Sequence, residues 1–440
     1  MRTLVLLGLI PILAACATPA QPAPTQPPVV QTVVVPETVV APAQGNAPRP
    51  AETHAAETRA AESAPTSVSS LTTAPKATPA NAPQPQSVGI TLGAPRQLMH
   101  EKQPDALGMT GIPDQPLTPI LQPDKSYRLF IAGGEIGGIR GGPGLISTKD
   151  FITYTPVVGN PKEAQPVLTP SCRENTDASC ADNYDAVYAG VDLVFPSSNG
   201  KDLVMIYQGV NKNFAIQVDG FYSVVALAIS TDNGVTWTRR GPIITGSDPK
   251  PTNPKPGANG ADQSGAIVAN GYIYDFYPYF PSRSAEDSTI QAARAPVASD
   301  GAPGTWTKYY NGSFGSQPGI GGLGSPVVPS ASACKRPAQP WLAFSTYLNE
   351  YVMVFVCKQG WFFSTSADLV TWTVPTQFYT APAPLFGKDQ PTDENASLVT
   401  PGNAGQVIGQ TGYVLYASTP AWGKTAHMLW MRPFTFTKSQ

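Results

Sequence analysis

Five short runs of β-branched and aromatic residues recur along the chain: Tyr127-Arg-Leu-Phe-Ile131, Leu203-Val-Met-Ile-Tyr207, Tyr272-Ile-Tyr-Asp-Phe-Tyr277, Tyr351-Val-Met-Val-Phe-Val356 and Tyr413-Val-Leu-Tyr416. Each is bounded by Gly, Asn or Asp, which is the pattern of a strand. Their starts at 127, 203, 272, 351 and 413 are 76, 69, 79 and 62 residues apart. After residue 90 no window carries a long apolar stripe at helical spacing. A polar turn closing on an aromatic residue recurs downstream of the runs. It reads Ser147-Thr-Lys-Asp150-Phe-Ile-Thr153-Tyr154, then Ser230-Thr-Asp232-Asn-Gly234-Val-Thr236-Trp237, then Ser364-Thr-Ser-Ala-Asp368-Leu-Val-Thr371-Trp372. A looser copy is Asp300-Gly-Ala-Pro-Gly304-Thr305-Trp306. Asp suits such a turn by bonding its own backbone, and Gly by accepting positive φ. Repeats at this scale indicate propellers or solenoids. Five units of three or four strands predict an all-β, five-bladed β-propeller over residues 91–440. A β-sandwich with coincidental turns is the alternative.

The N-terminus has a different pattern. Met1-Arg2 supplies a positive start, Leu4 to Leu13 an apolar core, and Leu13-Ala14-Ala15-Cys16 a cleavage site, the layout of a secretory signal over residues 1–15. The last four residues resemble the lipobox of bacterial lipoproteins. That resemblance implies that Cys16 is the lipidated first residue of the mature chain. It also implies a cell-envelope location, with Ala17 favouring the outer membrane. From residue 16 to 90 the composition collapses to Pro, Ala, Thr, Val and Gln. Such a stretch cannot bury enough apolar surface to offset its ordering entropy, so it reads as a disordered, semi-rigid tether.

Composition narrows the partners. Net charge is −2 and no basic block occurs, which disfavours nucleic acid. Charged residues are 13% of the chain, and a polar, neutral ligand suits that surface better than a highly charged one. Five cysteines leave four once Cys16 is spent on lipid, and in an exported chain an even set reads as disulfides. The expected pairing is Cys172–Cys180 and Cys334–Cys357, although the sequence permits two others. No CxxC pair is present, so no zinc site is expected. The sequence neither requires nor excludes a calcium ion on the propeller axis, where His427 is one candidate ligand. No other cofactor is expected, and the protein is expected to be a monomer.

In a propeller, residues where each innermost strand begins line the central funnel. The second unit has Val191-Asp192-Leu-Val-Phe195, the third Asp262-Gln-Ser-Gly-Ala-Ile-Val268, and the fifth Glu394-Asn-Ala-Ser-Leu-Val399. Three units thus place a carboxylate at the funnel. These segments resemble the blades of glycoside hydrolase family 43 and its five-bladed relatives. The matching residues are Asp192-Leu-Val-Phe195 with the Asn199-Gly-Lys201 hairpin, Asn270-Gly271-Tyr272, and Ser366-Ala-Asp368-Leu-Val-Thr371-Trp372. The resemblance covers about residues 117–438. It implies that Asp262 stands at the general acid's position, where the family has Glu. It implies that Asp192 orients and tunes that acid, with Glu394 a sugar-binding or second carboxylate. It places Leu117 where the family's catalytic base Asp belongs, with Asp114 and Asp124 nearby.

A buried Asp262 would have the raised pKa that a general acid needs at neutral pH. Candidate sugar contacts are Arg140 in a glycine-rich loop and the aromatic residues Tyr277, Trp361 and Trp422. The function expected is hydrolysis of glycosidic bonds in a neutral glycan, arabinose- or xylose-containing ones included. Leu117 favours a second reading, a non-catalytic carbohydrate-binding lipoprotein. A sialidase-like hydrolase is a third, raised by the turn at 230–237 but short of an arginine triad.

Overall fold

The computed structural model describes residues 87–438, except 102–103, 173–179, 181, 212–219, 251–256, 282–286 and 386. The signal segment, Cys16 and the tether up to residue 86 lie outside the described residues. The described chain forms a five-bladed β-propeller. Among the described residues there is no α-helix, and 3-10 turns include Pro104–Ala106 and Val297–Ser299.

The five apolar runs are the second strands of the five blades. Blade 1 is built from Ile120–Leu121, Tyr127–Ala132, Pro143–Thr148 and Thr155–Pro156. Blade 2 is Tyr188–Pro196, Leu203–Asn211, Gly220–Ser230 and Thr238–Ile244. Blade 3 is Gly265–Ala269, Tyr272–Phe280, Thr289–Pro296 and Thr307–Tyr310. Blade 4 is Ala338–Ser345, Glu350–Cys357, Gly360–Ser366 and Thr376–Thr380. Blade 5 is Thr392–Val399, Thr411–Thr419, Met428–Lys438 and, from the start of the fold, Val88–Leu92. That last strand pairs antiparallel with the C-terminal strand, from Val88 opposite Lys438 to Leu92 opposite Phe434.

This closure explains a gap in the repeat. The polar turn joins third to fourth strands in blades 1 to 4. Blade 5 takes its fourth strand from the N-terminal side and needs no such turn. The first described strand begins at Val88, three residues ahead of the boundary expected at 91, and its Ile90 is buried in the blade 4–blade 5 core.

Apolar packing runs between blades. Five clusters fill the interfaces of blades 1 and 2, 2 and 3, 3 and 4, 4 and 5, and 5 and 1, so the ring is closed by burial as well as by the edge strand. Trp306, Trp341 and Trp361 are at most 2% exposed within these layers. Truncating a ring of that size costs roughly 3–5 kcal/mol.

The turns are self-contained. In blade 2, Asp232 accepts hydrogen bonds from the Thr236 N–H at 2.9 Å and its hydroxyl at 2.6 Å, while Ser230 Oγ accepts from the Gly234 N–H at 2.8 Å. The Trp237 indole donates to the Gly234 carbonyl at 3.1 Å. Asp150 and Asp368 make the equivalent bonds in blades 1 and 4. These donors hold Asp232 down to about 2. The disulfides Cys172–Cys180 and Cys334–Cys357 both form.

Candidate functional site

The funnel is set by how each blade begins. Regular pairing gives way there. In blade 2 the register slips between Val191 and Leu193, so Asp192 is the extra residue of a bulge. In blade 4 the slip spans Gln339 and in blade 5 it spans Asn395, and these two residues take left-handed φ of 52° and 57°. Bulges re-aim side chains, and left-handed residues other than Gly persist only where surroundings over-determine them.

The surroundings here are buried amides. Each blade supplies one: Gln115, Gln208, Gln263, Gln339 and Asn395, none more than 8% exposed. Gln115 Nε2 donates to Gln208 Oε1 at 2.6 Å, and Gln208 Nε2 donates to Asp262 Oδ1 and to Ser223 Oγ. Gln263 Nε2 donates to Asn395 Oδ1 at 2.6 Å and to the Asp114 carbonyl at 3.1 Å. Asn395 gives its backbone N–H to Gln339 Oε1 and its side-chain amide to the Pro113 carbonyl. Gln339 Nε2 donates to Glu394 Oε2 at 3.0 Å. Gly190 leaves room for this layer, since a Cβ there would lie 2.5 Å from Gln115 Nε2.

Three carboxyl groups sit on the amide layer: Asp114 from blade 1, Asp262 from blade 3 and Glu394 from blade 5. His427 stands between two of them, its Nε2 3.6 Å from Asp114 Oδ1 and its Nδ1 3.7 Å from Glu394 Oε1. A backbone bond from the Ile112 N–H to the His427 carbonyl fixes this approach. Asp114 is enclosed by protein yet its side chain is 34% exposed, as expected at the floor of a funnel. Burial pushes its pKa up to about 6, opposed by His427 and assisted by the charges of Glu394 and Asp262. Burial also raises Asp262, against the hydrogen bonds of Ser223, Gln208 and its own backbone neighbour Gln263.

The sequence-predicted residues divide. Asp262 and Glu394 are in the cluster. Asp192 lies behind it, 3% exposed, with Oδ1 accepting the Ser264 N–H at 3.1 Å. Trp422 is on the rim loop after the second strand of blade 5 and is 37% exposed. Arg140 is opposite Glu135 in a short hairpin, with its side chain 86% exposed and its Nε 4.0 Å from Glu135. Two assignments are corrected. Tyr277 is wholly buried in the blade 2–blade 3 core, its hydroxyl paired with Gln291. Trp361 is wholly buried in the blade 4–blade 5 core, its indole bonded to the Asp393 carbonyl and packed on Tyr379. Neither ring has a face for a sugar.

Leu117 is also core: its N–H bonds to Ser397 Oγ and its carbonyl accepts the Trp341 indole. The blade 1 carboxylate is Asp114, three residues earlier. Asp124 is in an exposed turn, held down mainly by Ser126. A readable signal was present in the sequence. An acidic residue followed by an amide recurs as Asp114-Gln115, Asp262-Gln263 and Glu394-Asn395. As to metal, among the described residues no group of three or more His, Cys, Asp or Glu side chains converges to hold an ion.

No family model matches the chain, and no curated protein matches it. Its fold is similar to that of several solved structures. The catalytic domain of a Coprinopsis cinerea GH62 α-L-arabinofuranosidase is 11% identical, with 79% of this chain and 98% of that chain covered and a TM-score of 0.46. A family 117 glycoside hydrolase of Zobellia galactanivorans is 10% identical over 79% of this chain and 90% of its own, with a TM-score of 0.46. An N-acetylgalactosamine deacetylase from F. plautii is 12% identical over 80% and 95%, with a TM-score of 0.45.

The geometry predicts how Asp114 titrates. Its carboxyl resonance in a 13C NMR pH series should have a midpoint of about 6. Glu394→Gln, which removes a negative neighbour, should lower that midpoint, and His427→Ala should raise it. A midpoint near the ordinary 3.8 that neither substitution moves contradicts the cluster.

Proposed function

We propose that this chain hydrolyses glycosidic bonds of a neutral glycan in the funnel. The observation that carries this reading is the pair of burial-raised carboxyls, Asp114 and Asp262, above the amide layer. Glycoside hydrolysis needs two carboxyl groups in different protonation states across the scissile bond. Asp262, raised by burial, is placed to donate to the leaving oxygen. Asp114, ionised above about pH 6, takes the proton of the attacking water. Glu394, held by Gln339 and facing His427, sets the charge beside Asp114 and is placed to bind sugar hydroxyls. Trp422 offers a ring at the rim.

The carboxylates disfavour an acidic sugar by repulsion, which supports a neutral one. An arabinose- or xylose-containing glycan is the first to test. The non-catalytic reading drew on Leu117, and Asp114 removes that objection. The sialidase reading gains nothing from its candidate arginines. Arg140 is exposed, and Arg294 is stacked over Tyr272 and Phe314 on blade 3.

We also propose that the chain is lipid-anchored at Cys16 in a bacterial outer membrane. Glu394 pairs with Ala417 and Ala417 with Leu429, whereas Val88 pairs with Lys438. Nine residues of strand, ~30 Å, therefore separate the funnel end of blade 5 from the point where the N-terminal segment joins it.

The full chain incubated with neutral glycans should release reducing sugar. Asp262→Asn and Asp114→Asn should each lower kcat/KM by roughly 10²–10⁴. The acid side of the parent's pH profile should fall as pH drops through about 6, because protonating Asp114 removes the base. No release from any glycan, with binding to one retained, would replace hydrolysis by recognition. For the anchor, Cys16→Ser should abolish palmitate incorporation and move the protein to the soluble fraction. Unchanged membrane retention contradicts it.

A further inference from the structure

Behind Asp262, where blades 2 and 3 meet, a second pair of carboxyl groups is buried. Asp275 lies in the second strand of blade 3, opposite Ala266 and Ala293, and is 0% exposed. Asp192 reaches the same spot from its bulge in blade 2. Ser264 joins them. Its N–H donates to Asp192 Oδ1 at 3.1 Å, its Oγ is 2.9 Å from Asp275 Oδ2, and its hydroxyl is also a hydrogen-bond partner of Asp192. Asp192 Oδ2 and Asp275 Oδ1 are both buried without a hydrogen-bond partner.

Nothing positive compensates two charges here. The blade 2 strand 188–196 adds only Tyr188 to Asp192, and Asp275's own strand adds Tyr272, Tyr274, Tyr277 and Tyr279. The neighbouring strand 289–296 adds Arg294, held over the Tyr272 and Phe314 rings at 4.1 and 4.4 Å. The strands 265–269 and 338–345 add no titratable group, and the chain before Ser264 adds Asp262. A buried ion without a partner is strongly disfavoured, and like charges sharing a site cannot both ionise. The single Ser264 hydroxyl proton also serves only one acceptor at a time.

We propose that Asp192 and Asp275 share one proton through Ser264, with Asp275 as its carrier, so that one negative charge instead of two stands behind Asp262. The Asp275 O–H then donates to Ser264 Oγ, and the Ser264 O–H donates to Asp192. Every proton on the path has an acceptor. The Ser264 N–H on Asp192 favours the ionised form there and leaves Asp275, which meets only the hydroxyl, as the carrier. Burial holds Asp275 up to about 8, and Asp192 is raised well above the ordinary value, first by burial and next by Asp275. Asp275 is a positioning residue, acting on Asp262 through Asp192. Its effect on catalysis rests on the hydrolase reading, whereas the shared proton does not.

Two measurements on the full chain separate these. The first is thermal unfolding against pH. A carboxyl raised from 3.8 to about 8 lends the folded state stability that is lost as pH rises through about 8. The unaltered protein should lose melting temperature between about pH 6 and 8, above the range in which Asp114 titrates, and Asp275→Asn, which mimics the protonated form, should lose less there. Equal pH dependence in the two proteins overturns the proposal. Should Asp275→Asn fail to fold, a 13C carboxyl titration of the unaltered protein decides. One member of the pair protonated at pH 7 supports the proposal, and both ionised overturns it. The second is activity. The extra charge that appears above about pH 8 disfavours ionisation of Asp262, so the basic limb of the unaltered enzyme's pH profile should lie at higher pH than that of Asp275→Asn. Coincident limbs would remove Asp275's effect on catalysis. A parent that cleaves no glycan sinks the hydrolase reading, and the unfolding series still decides the shared proton.

Discussion

The amide layer across the axis is the constraint on which the funnel depends. Five blades converge with strand ends whose backbone groups cannot all pair in a ladder. A buried polar group without a partner costs about 1–3 kcal/mol, so a half-satisfied layer would be worse than an apolar one. Gln115, Gln208, Gln263, Gln339 and Asn395 offset most of this cost by bonding to one another and to neighbouring backbone, Gln115 Oε1 being the exception. Their remaining donors are then aimed at Asp262 and Glu394. Bulges at Asp192, Gln339 and Asn395 follow from the same requirement, because regular pairing would turn those side chains back into the sheet.

Burial, more than charge pairing, sets the chemistry of the funnel. The carboxyls have hydrogen-bond donors and one imidazole near them, and desolvation still outweighs those contributions at Asp114 and Asp262. That is the condition under which a carboxylic acid keeps its proton near neutral pH. The contrast lies within the same chain. Asp232 and Asp368 are in solvated turns, surrounded by N–H and O–H donors, and are held below the ordinary value. One residue type thus serves as a turn fastener on the outside and as a site group on the axis.

Much of the architecture was legible because it is periodic. The five second strands and four turns were readable from apolar runs and Asp-Gly chemistry, and the pairing of cysteines followed from their positions. The fourth strand of blade 5 was not readable, because Val88–Leu92 borders a Pro-rich stretch and pairs with residues nearly the whole fold away. The site was half legible. Asp262 immediately precedes, and Glu394 stands in, a strand with a clear pattern, whereas Asp114 precedes an irregular segment with no strand to align on. Counting back from Tyr127 therefore selected Leu117, a core residue. Tyr277 and Trp361 were misplaced because an aromatic near a strand end reads alike whether it faces the neighbouring blade or the solvent.

The most direct test of the funnel as the place of reaction is a crystal structure of Asp262→Asn with a neutral oligosaccharide bound. The account predicts a glycosidic oxygen beside residue 262 and the adjoining anomeric carbon facing Asp114, with hydroxyls on Glu394. A glycan bound away from these three residues, or Asp114 turned out of the funnel, would contradict it.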